Sequence, residues 1–255
     1  MNLTPKLIVQ TKVFIFALGF LLLGSCGTKY AVVKSNREEY HINSSVAADS
    51  SIIRTYLPYK TKMEATMNEV IGSTEIDLTK DGGEETLLGN FFADAILHQS
   101  KKIEPRIDFV FPTTKSGLRN NIAKGNITVS DIFELMPFEN ELVLVELKGA
   151  DVLTVLNYVA ASGGQPVAGL TMEIKNKTAI NIRINGKKFD LNENYFVLTS
   201  DYLANGGADS AGFSAPVTRK NINLLVRDAL LKEVKALTAA GKKVKSQLDG
   251  RITKD

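Results

Sequence analysis

The sequence predicts an α+β fold, a single domain in which a mixed sheet is flanked by helices. Three observations carry that prediction. Stretches whose apolar residues recur every three or four positions alternate along the chain with short apolar runs, so helices and strands are interleaved. Asn185-Gly186, set between two such runs, reads as a hairpin turn, so some neighbouring strands are antiparallel. From Ser51 onward there is neither an internal repeat nor a second break in composition. With 255 residues, 44% hydrophobic and 23% charged, the chain has the material for one substantial core.

The N-terminus reads as processing sequence. Lys6 and Lys12 form a positive start with no acid nearby, and Val13 to Leu23 is an apolar run. That run is too short to cross a bilayer core of about 30 Å as a helix. It ends in Leu23-Gly24-Ser25-Cys26, which resembles the lipobox of bacterial lipoproteins. On this reading residues 1–25 are a signal peptide and Cys26 is the lipidated residue. An ordinary secretory leader with a chance cysteine is the alternative. Gly27 is not the Asp that often retains lipoproteins in the inner membrane. The expected location is therefore the cell envelope, lipid-anchored, at the outer membrane. Residues 26–50 are polar without a sustained period and read as a tether. Residues 51–255 are the domain.

Within it, Ile52, Tyr56, Tyr59, Met63 and Met67 recur at helical spacing and predict an amphipathic helix, with Pro58 leaving its start open. Val70 to Leu78 reads as a strand, followed by the Asp81-Gly82-Gly83 turn. Thr86 to Ser100 is a second helix, with Leu87, Leu88, Phe91, Phe92, Ala95 and Ile96 on its apolar side. Ile107 to Phe111 is a short buried strand ending at Pro112, and Val129 to Leu135 a short helix running into Pro137-Phe138. Leu142 to Leu147 alternates as a strand, and Asp151 to Ala161 is helical. Gly169 to Ile174, Asn181 to Ile184 and Tyr195 to Thr199 are strands. Ile222 to Leu237 reads as the last long helix, and Gly250-Arg251-Ile252 as a closing strand.

Charge and cysteine usage narrow the function. The chain has 31 basic and 28 acidic residues, and without Lys6 and Lys12 it is nearly neutral. That balance gives no electrostatic ground for nucleic-acid binding. Cys26 is the only cysteine, so no disulfide is expected.

Three segments, in order, carry a family resemblance. Leu88-Gly89-Asn90-Phe91-Phe92-Ala93-Asp94-Ala95 resembles the "LGN..aDA" helix of the 5'-nucleotidase C-terminal domain. Lys115-Ser116-Gly117-Leu118-Arg119, Gly125-Asn126-Ile127-Thr128 and Met136-Pro137-Phe138-Glu139-Asn140 look like its "N.GGiR…G.iT…lPF.N" stretch. Thr199-Ser200-Asp201-Tyr202-Leu203-Ala204-Asn205-Gly206-Gly207 resembles its "t.nFlA.GGDG" loop. The resemblance covers roughly Ser51 to Ile252. It implies a domain that binds the nucleoside part of a nucleoside monophosphate, while a two-metal phosphoesterase domain does the chemistry. A two-metal site recruits several His, Asp and Asn ligands, whereas His41 and His98 are the only histidines here. The family's Asp-x-His and Gly-Asn-His-Glu metal motifs are absent from this sequence. No catalytic residue, metal or other cofactor is thus expected in this chain. Divalent metals belong to a separate metallophosphoesterase partner.

By resemblance, Phe138 and Tyr202 sandwich the base, which stacking stabilises by about 1–3 kcal/mol; as residues alone, both could equally be core aromatics. Arg119 corresponds to the arginine near sugar and phosphate, where its planar fork suits vicinal hydroxyls or phosphate oxygens, and a surface ion pair is its bland alternative. Asn140 corresponds to an asparagine that reads the base edge, or else forms a turn. Gly117, Gly206 and Gly207 complete the substrate-binding set with Asp209. The pattern is broken in places. The family asparagine before the arginine is Thr114, its glycine run is Lys115-Ser116-Gly117, and the ribose-holding acid after Gly-Gly is Ala208, with Asp209 one place late. The extra arginine ahead of the "LGN" helix is missing, with Gly82, Gly83 and Lys80 in that region. Two readings follow. One is the nucleotide-binding half of a split 5'-nucleotidase, acting in nucleotide catabolism. The other is a non-catalytic envelope lipoprotein that kept the fold for binding or structural purposes.

Overall fold

The structure, a computed structural model, describes residue 31, residues 34–41, residue 43, residues 46–209 and residues 211–255. The leader and Cys26 lie outside the described residues, as does part of the tether. The chain divides into two units, Met1–Ile53 and Arg54–Asp255. In the first, no helix or strand occurs among the described residues before Ser50. None of the described helices is long and apolar enough to cross a membrane.

Helix α1 (Ser50–Met67) is followed by β1 (Val70–Thr74) and by α2 (Leu87–Lys101), which Thr86 caps by accepting the Gly89 N–H at 3.0 Å. Then come β2 (Phe109–Phe111), β3 (Gly125–Thr128), α3 (Val129–Leu135), β4 (Glu141–Lys148) and α4 (Gly149–Ala161). They are followed by β5 (Leu170–Lys175), β6 (Thr178–Ile184), β7 (Lys187–Lys188), β8 (Asn194–Ser200) and the single-turn α5 (Asp201–Ala204). The chain ends with β9 (Thr218–Leu225), α6 (Val226–Ala239) and β10 (Ile252–Lys254). The α+β expectation holds. The described strands form three sheets: a central mixed one ordered β2-β8-β4-β9, a second ordered β10-β5-β6-β7, and the pair β1-β3.

Alternation along β4 builds the interior. Leu142 and Leu144 point into one apolar cluster, with residues of α2, α3 and α6. Val143, Val145 and Leu147 point into another, with residues of α4 and of the second sheet. A strand buried on both faces needs consecutive apolar residues, and Leu142 to Val145 supply them, with Glu146 only partly buried beyond. The hairpin signal is also realised: Asn185 and Gly186 have φ of 50° and 76°, and Ile184 pairs with Lys187, as a two-residue primed turn requires.

The expected helix Ile222 to Leu237 is corrected. Ile222 and Leu224 belong to β9, and the helix starts at Val226. Both face the first cluster while Asn221 and Asn223 are exposed, which is the two-residue period of a strand. The strand expected over Val70 to Leu78 ends at Thr74, and Leu78 makes an isolated bridge with Ile122.

The "LGN..aDA" helix has a structural task. Asn90 Nδ2 donates to Glu85 Oε2 at 2.9 Å and to the Gln247 carbonyl at 2.8 Å. Asp94 accepts a bidentate fork from buried Arg251 at 2.8 and 3.0 Å, and Arg251 also holds Asp249 and the Val167 carbonyl. Together these bonds pin the C-terminal segment along α2 and deliver β10 to β5, where it pairs in parallel.

Candidate functional site

The central sheet brings the site together at one edge. β2 and β8 run parallel, with Phe111 opposite Thr199, and β4 runs antiparallel, with Leu142 opposite Ser200. The segment leaving β2, the segment entering β4 and the segment leaving β8 therefore emerge side by side. Ligand sites in mixed and parallel sheets favour such strand ends. Between them lies a cavity of about 190 Å³ lined by Thr113, Thr114, Ser116, Gly117, Arg119, Phe138, Asn140, Tyr202 and Ala208. The structure thus puts Gly117, Arg119, Phe138, Asn140 and Tyr202 on one wall system, although they lie far apart in the sequence. Gly206, Gly207 and Asp209 are not part of the lining. A larger groove of about 690 Å³, lined among others by His98, Glu233 and Lys243, contains none of the expected residues.

Each side chain has a local reason for its place. Phe138 is half-buried, packs on the first cluster, and carries the Arg119 guanidinium 5.1 Å from its ring centroid. That is a cation–π distance. The Arg119 backbone N–H donates to the Leu135 carbonyl at 2.9 Å. Its guanidinium makes no ion pair or hydrogen bond among the described residues, so its donors remain open to a ligand. Asn140 is held through its carbonyl, which accepts the Val226 N–H at 2.9 Å, and its side-chain amide has no partner among the described residues.

Tyr202 stands at the start of α5 and is 51% exposed. Its hydroxyl accepts the Ala208 N–H at 3.0 Å. Gly207 lies beneath the ring: a Cβ there would sit 2.5 Å from ring carbons, so any other residue would push the ring off this seat. Gly207 thus shapes the seat of Tyr202 without lining the cavity. Gly117 is similarly constrained, since a Cβ would come within 2.1 Å of Thr113 Oγ1. Ala208 and Asp209 both have positive φ, at 56° and 52°, a left-handed conformation costly for alanine. Asp209 is exposed and stays outside the lining.

Two residues that sequence reasoning missed support these walls. Tyr158 of α4 donates to the Ala208 carbonyl at 2.9 Å, and burial, with Asp209 and Tyr202 nearby, raises its phenol above the usual range. Buried Arg227 of α6 pairs with Glu139, donates to the Phe138 carbonyl at 3.3 Å and lies 4.0 Å from the Phe133 ring. No sequence signal marked Arg227, because the helix expected from Ile222 put it in the second turn, whereas the structure starts α6 at Val226. Lys115 does not join the site. Its Nζ donates to the carbonyls of Gly83 and Gly163 at 2.6 and 3.1 Å, and burial lowers its pKa.

The lining offers aromatic surface, one unpaired guanidinium, one free amide and the hydroxyls of Thr113, Thr114 and Ser116, of which the last two are 2.9 Å apart. It contains no carboxylate. Among the described residues no cluster of three or more His, Cys, Asp or Glu could hold a metal ion. The arrangement can stack a flat ring, read polar edges and accept negative charge.

Known proteins match this chain over much of its length. The family model described as 5'-nucleotidase, C-terminal domain, matches residues 64–218. A 5'-nucleotidase of Vibrio vulnificus (strain CMCP6) is 29% identical over 188 residues, covering 70% of this chain and 33% of that protein. The trifunctional nucleotide phosphoesterase protein YfkN of Bacillus subtilis (strain 168) is 30% identical over 217 residues, 76% of this chain and 14% of its own length. The crystal structure of a 5'-nucleotidase precursor from Thermus thermophilus superposes with a TM-score of 0.66 at 26% identity, covering 79% of this chain and 42% of that one. The chain spans a third or less of the length of these two curated relatives. With the family model covering more than half of the chain, the chain belongs to the 5'-nucleotidase C-terminal domain family.

Proposed function

We propose that this chain is the nucleoside-binding half of a split 5'-nucleotidase. It holds a nucleoside monophosphate while a separately encoded metallophosphoesterase supplies the divalent metals and the hydrolytic chemistry. The observation that carries this reading is the convergence of Arg119, Phe138, Asn140 and Tyr202 on one cavity. A base has a π-face for the rings and polar edges for Asn140, and the phosphate has charge for Arg119. We place the pair in the cell envelope, with this chain anchored through a lipid on Cys26, at the outer membrane. One observation favours the second reading, a binding lipoprotein without a reaction: Ala208, not an acid, stands on the cavity wall, so a ribose diol finds no carboxylate there.

The test is a calorimetric titration of the domain with AMP, adenosine and UMP. Binding of AMP is expected, and Arg119→Met should weaken it about ten- to a hundredfold, as loss of a charged hydrogen bond does. Adenosine binding should change less, because it lacks the phosphate. No binding of any of the three rejects the proposal.

A further inference from the structure

Helix α1 is the feature that the cavity leaves unexplained. None of its residues is buried. Ile52, Tyr56, Tyr59 and Met63, at steps of four, three and four, fall on one side of the helix, and Met67, the fifth residue expected there, is partly buried against the first cluster. The first four are 61%, 45%, 76% and 59% exposed. A contiguous apolar stripe of this kind is seldom left to water.

The chemistry of the helix indicates what covers the stripe. Arg54, Lys60 and Lys62 stand against one acid, Glu64, which pairs with Lys60 at 3.6 Å. Lys60 and Lys62 flank the stripe, on its two sides. Two of its four residues are tyrosines, whose apolar ring and polar hydroxyl suit a membrane–water boundary. A coiled-coil seam of the same spacing favours branched aliphatic residues, of which the stripe has only Ile52. Position agrees with composition. Residues 27–49 reach at most roughly 80 Å when fully extended, so a lipid on Cys26 would hold the helix close to the bilayer. A helix already held near the surface needs little affinity of its own.

We infer that α1 is an interfacial helix that lies on an anionic lipid surface, with Ile52, Tyr56, Tyr59 and Met63 in the headgroup layer. The inference rests on the lipid-anchor reading in one respect, the delivery of the helix to the bilayer. It makes α1 the second membrane signal.

Cys26 is the only cysteine in the sequence, so a thiol introduced elsewhere can be read alone once the anchor is acylated. Tyr59→Cys places one on the stripe, and Ala65→Cys places one on the opposite side. The full lipidated chain is purified, reconstituted into vesicles of phosphatidylethanolamine and phosphatidylglycerol, and treated with a charged, water-soluble maleimide. The Tyr59→Cys protein should react roughly tenfold or more slowly than the Ala65→Cys protein, since the headgroup layer shields the stripe. In phosphatidylcholine alone the protection should weaken, and in detergent both should react alike. Equal rates in anionic vesicles overturn the inference. Protection that persists in dilute detergent also overturns it, because the stripe is then covered by a second copy of the chain. Protection present in cells but absent from the anionic vesicles assigns the stripe to a partner protein instead. The anchor is checked separately: a palmitate analogue should label the wild type and not Cys26→Ser. If that label is absent, the comparison is repeated with Cys26→Ser in both proteins, and a Tyr59→Cys thiol still protected there means that the anchor reading fails and the helix assignment stands.

Discussion

Gly207 and Tyr202 show how a backbone position seats a ring on the cavity wall. The glycine leaves room beneath the ring, and the Ala208 N–H holds the hydroxyl, so Tyr202 is oriented before any ligand arrives. Pre-organisation of this sort lowers the entropy lost on binding. Phe138 is prepared differently, half-buried against the first cluster, with the Arg119 guanidinium 5.1 Å from its ring centroid, which a stacked base would have to displace or share. Truncation tests its role. Phe138→Ala should weaken nucleoside binding by about 1–3 kcal/mol in calorimetry. Its stability in urea denaturation should fall by less than the roughly 3–5 kcal/mol typical of a buried phenylalanine, because the ring is only half-buried. A full core-sized stability loss with unchanged binding makes Phe138 a structural residue.

Elements are tied together by a few polar contacts placed where apolar packing runs out. Glu104, buried at the exit of α2, accepts a fork from Arg106 at 2.8 and 2.9 Å and a bond from Lys220 of β9 at 3.2 Å. Arg106 in turn lies 4.7 Å from the ring of Phe196 on β8. The Arg106 fork holds the Glu104 carboxyl down at about 2, from an ordinary value of 4.5. A carboxyl depressed in the folded state stabilises the fold above its unfolded pKa. That contribution is lost as pH falls through the folded one. The stability gap between wild type and Glu104→Gln should therefore be constant above about pH 4.5 and close as the pH approaches about 2. Urea midpoints measured across that range check it, and a gap undiminished at the acid end rejects the assignment. Elements were legible where local signals agree. The sequence bounds of α3 match the structure residue for residue, and Thr128 and Asp131 cap it reciprocally. β9 was hidden because Ile222, Val226 and Leu230 recur at four-residue steps and extend the period of α6 backwards, outweighing the short alternation of Ile222 and Leu224 that pairing with β4 makes a strand.

At the scale of the molecule, the proposed division of labour makes a prediction about activity. The purified chain with Mn²⁺ or Zn²⁺ should hydrolyse AMP no faster than background, and adding the metallophosphoesterase partner should restore turnover. Metal-dependent hydrolysis by this chain alone, surviving substitution of His41 and His98, disproves the split. The sequence by itself determined the fold class, most element positions, the family motifs and most of the residues that line the cavity. All of these follow from periodicity, turn chemistry and short motifs, which are local in the chain. Only the tertiary structure decided that Arg119 lies over Phe138, that Gly207 seats Tyr202 while Asp209 stays outside the lining, that Asp94 serves Arg251, and that Ile52, Tyr56, Tyr59 and Met63 of α1 stay exposed while Met67 is covered. Those outcomes depend on which segments emerge together at one sheet edge and which faces find a packing partner. They are set by long-range strand pairing and burial, to which no local pattern in the sequence corresponds.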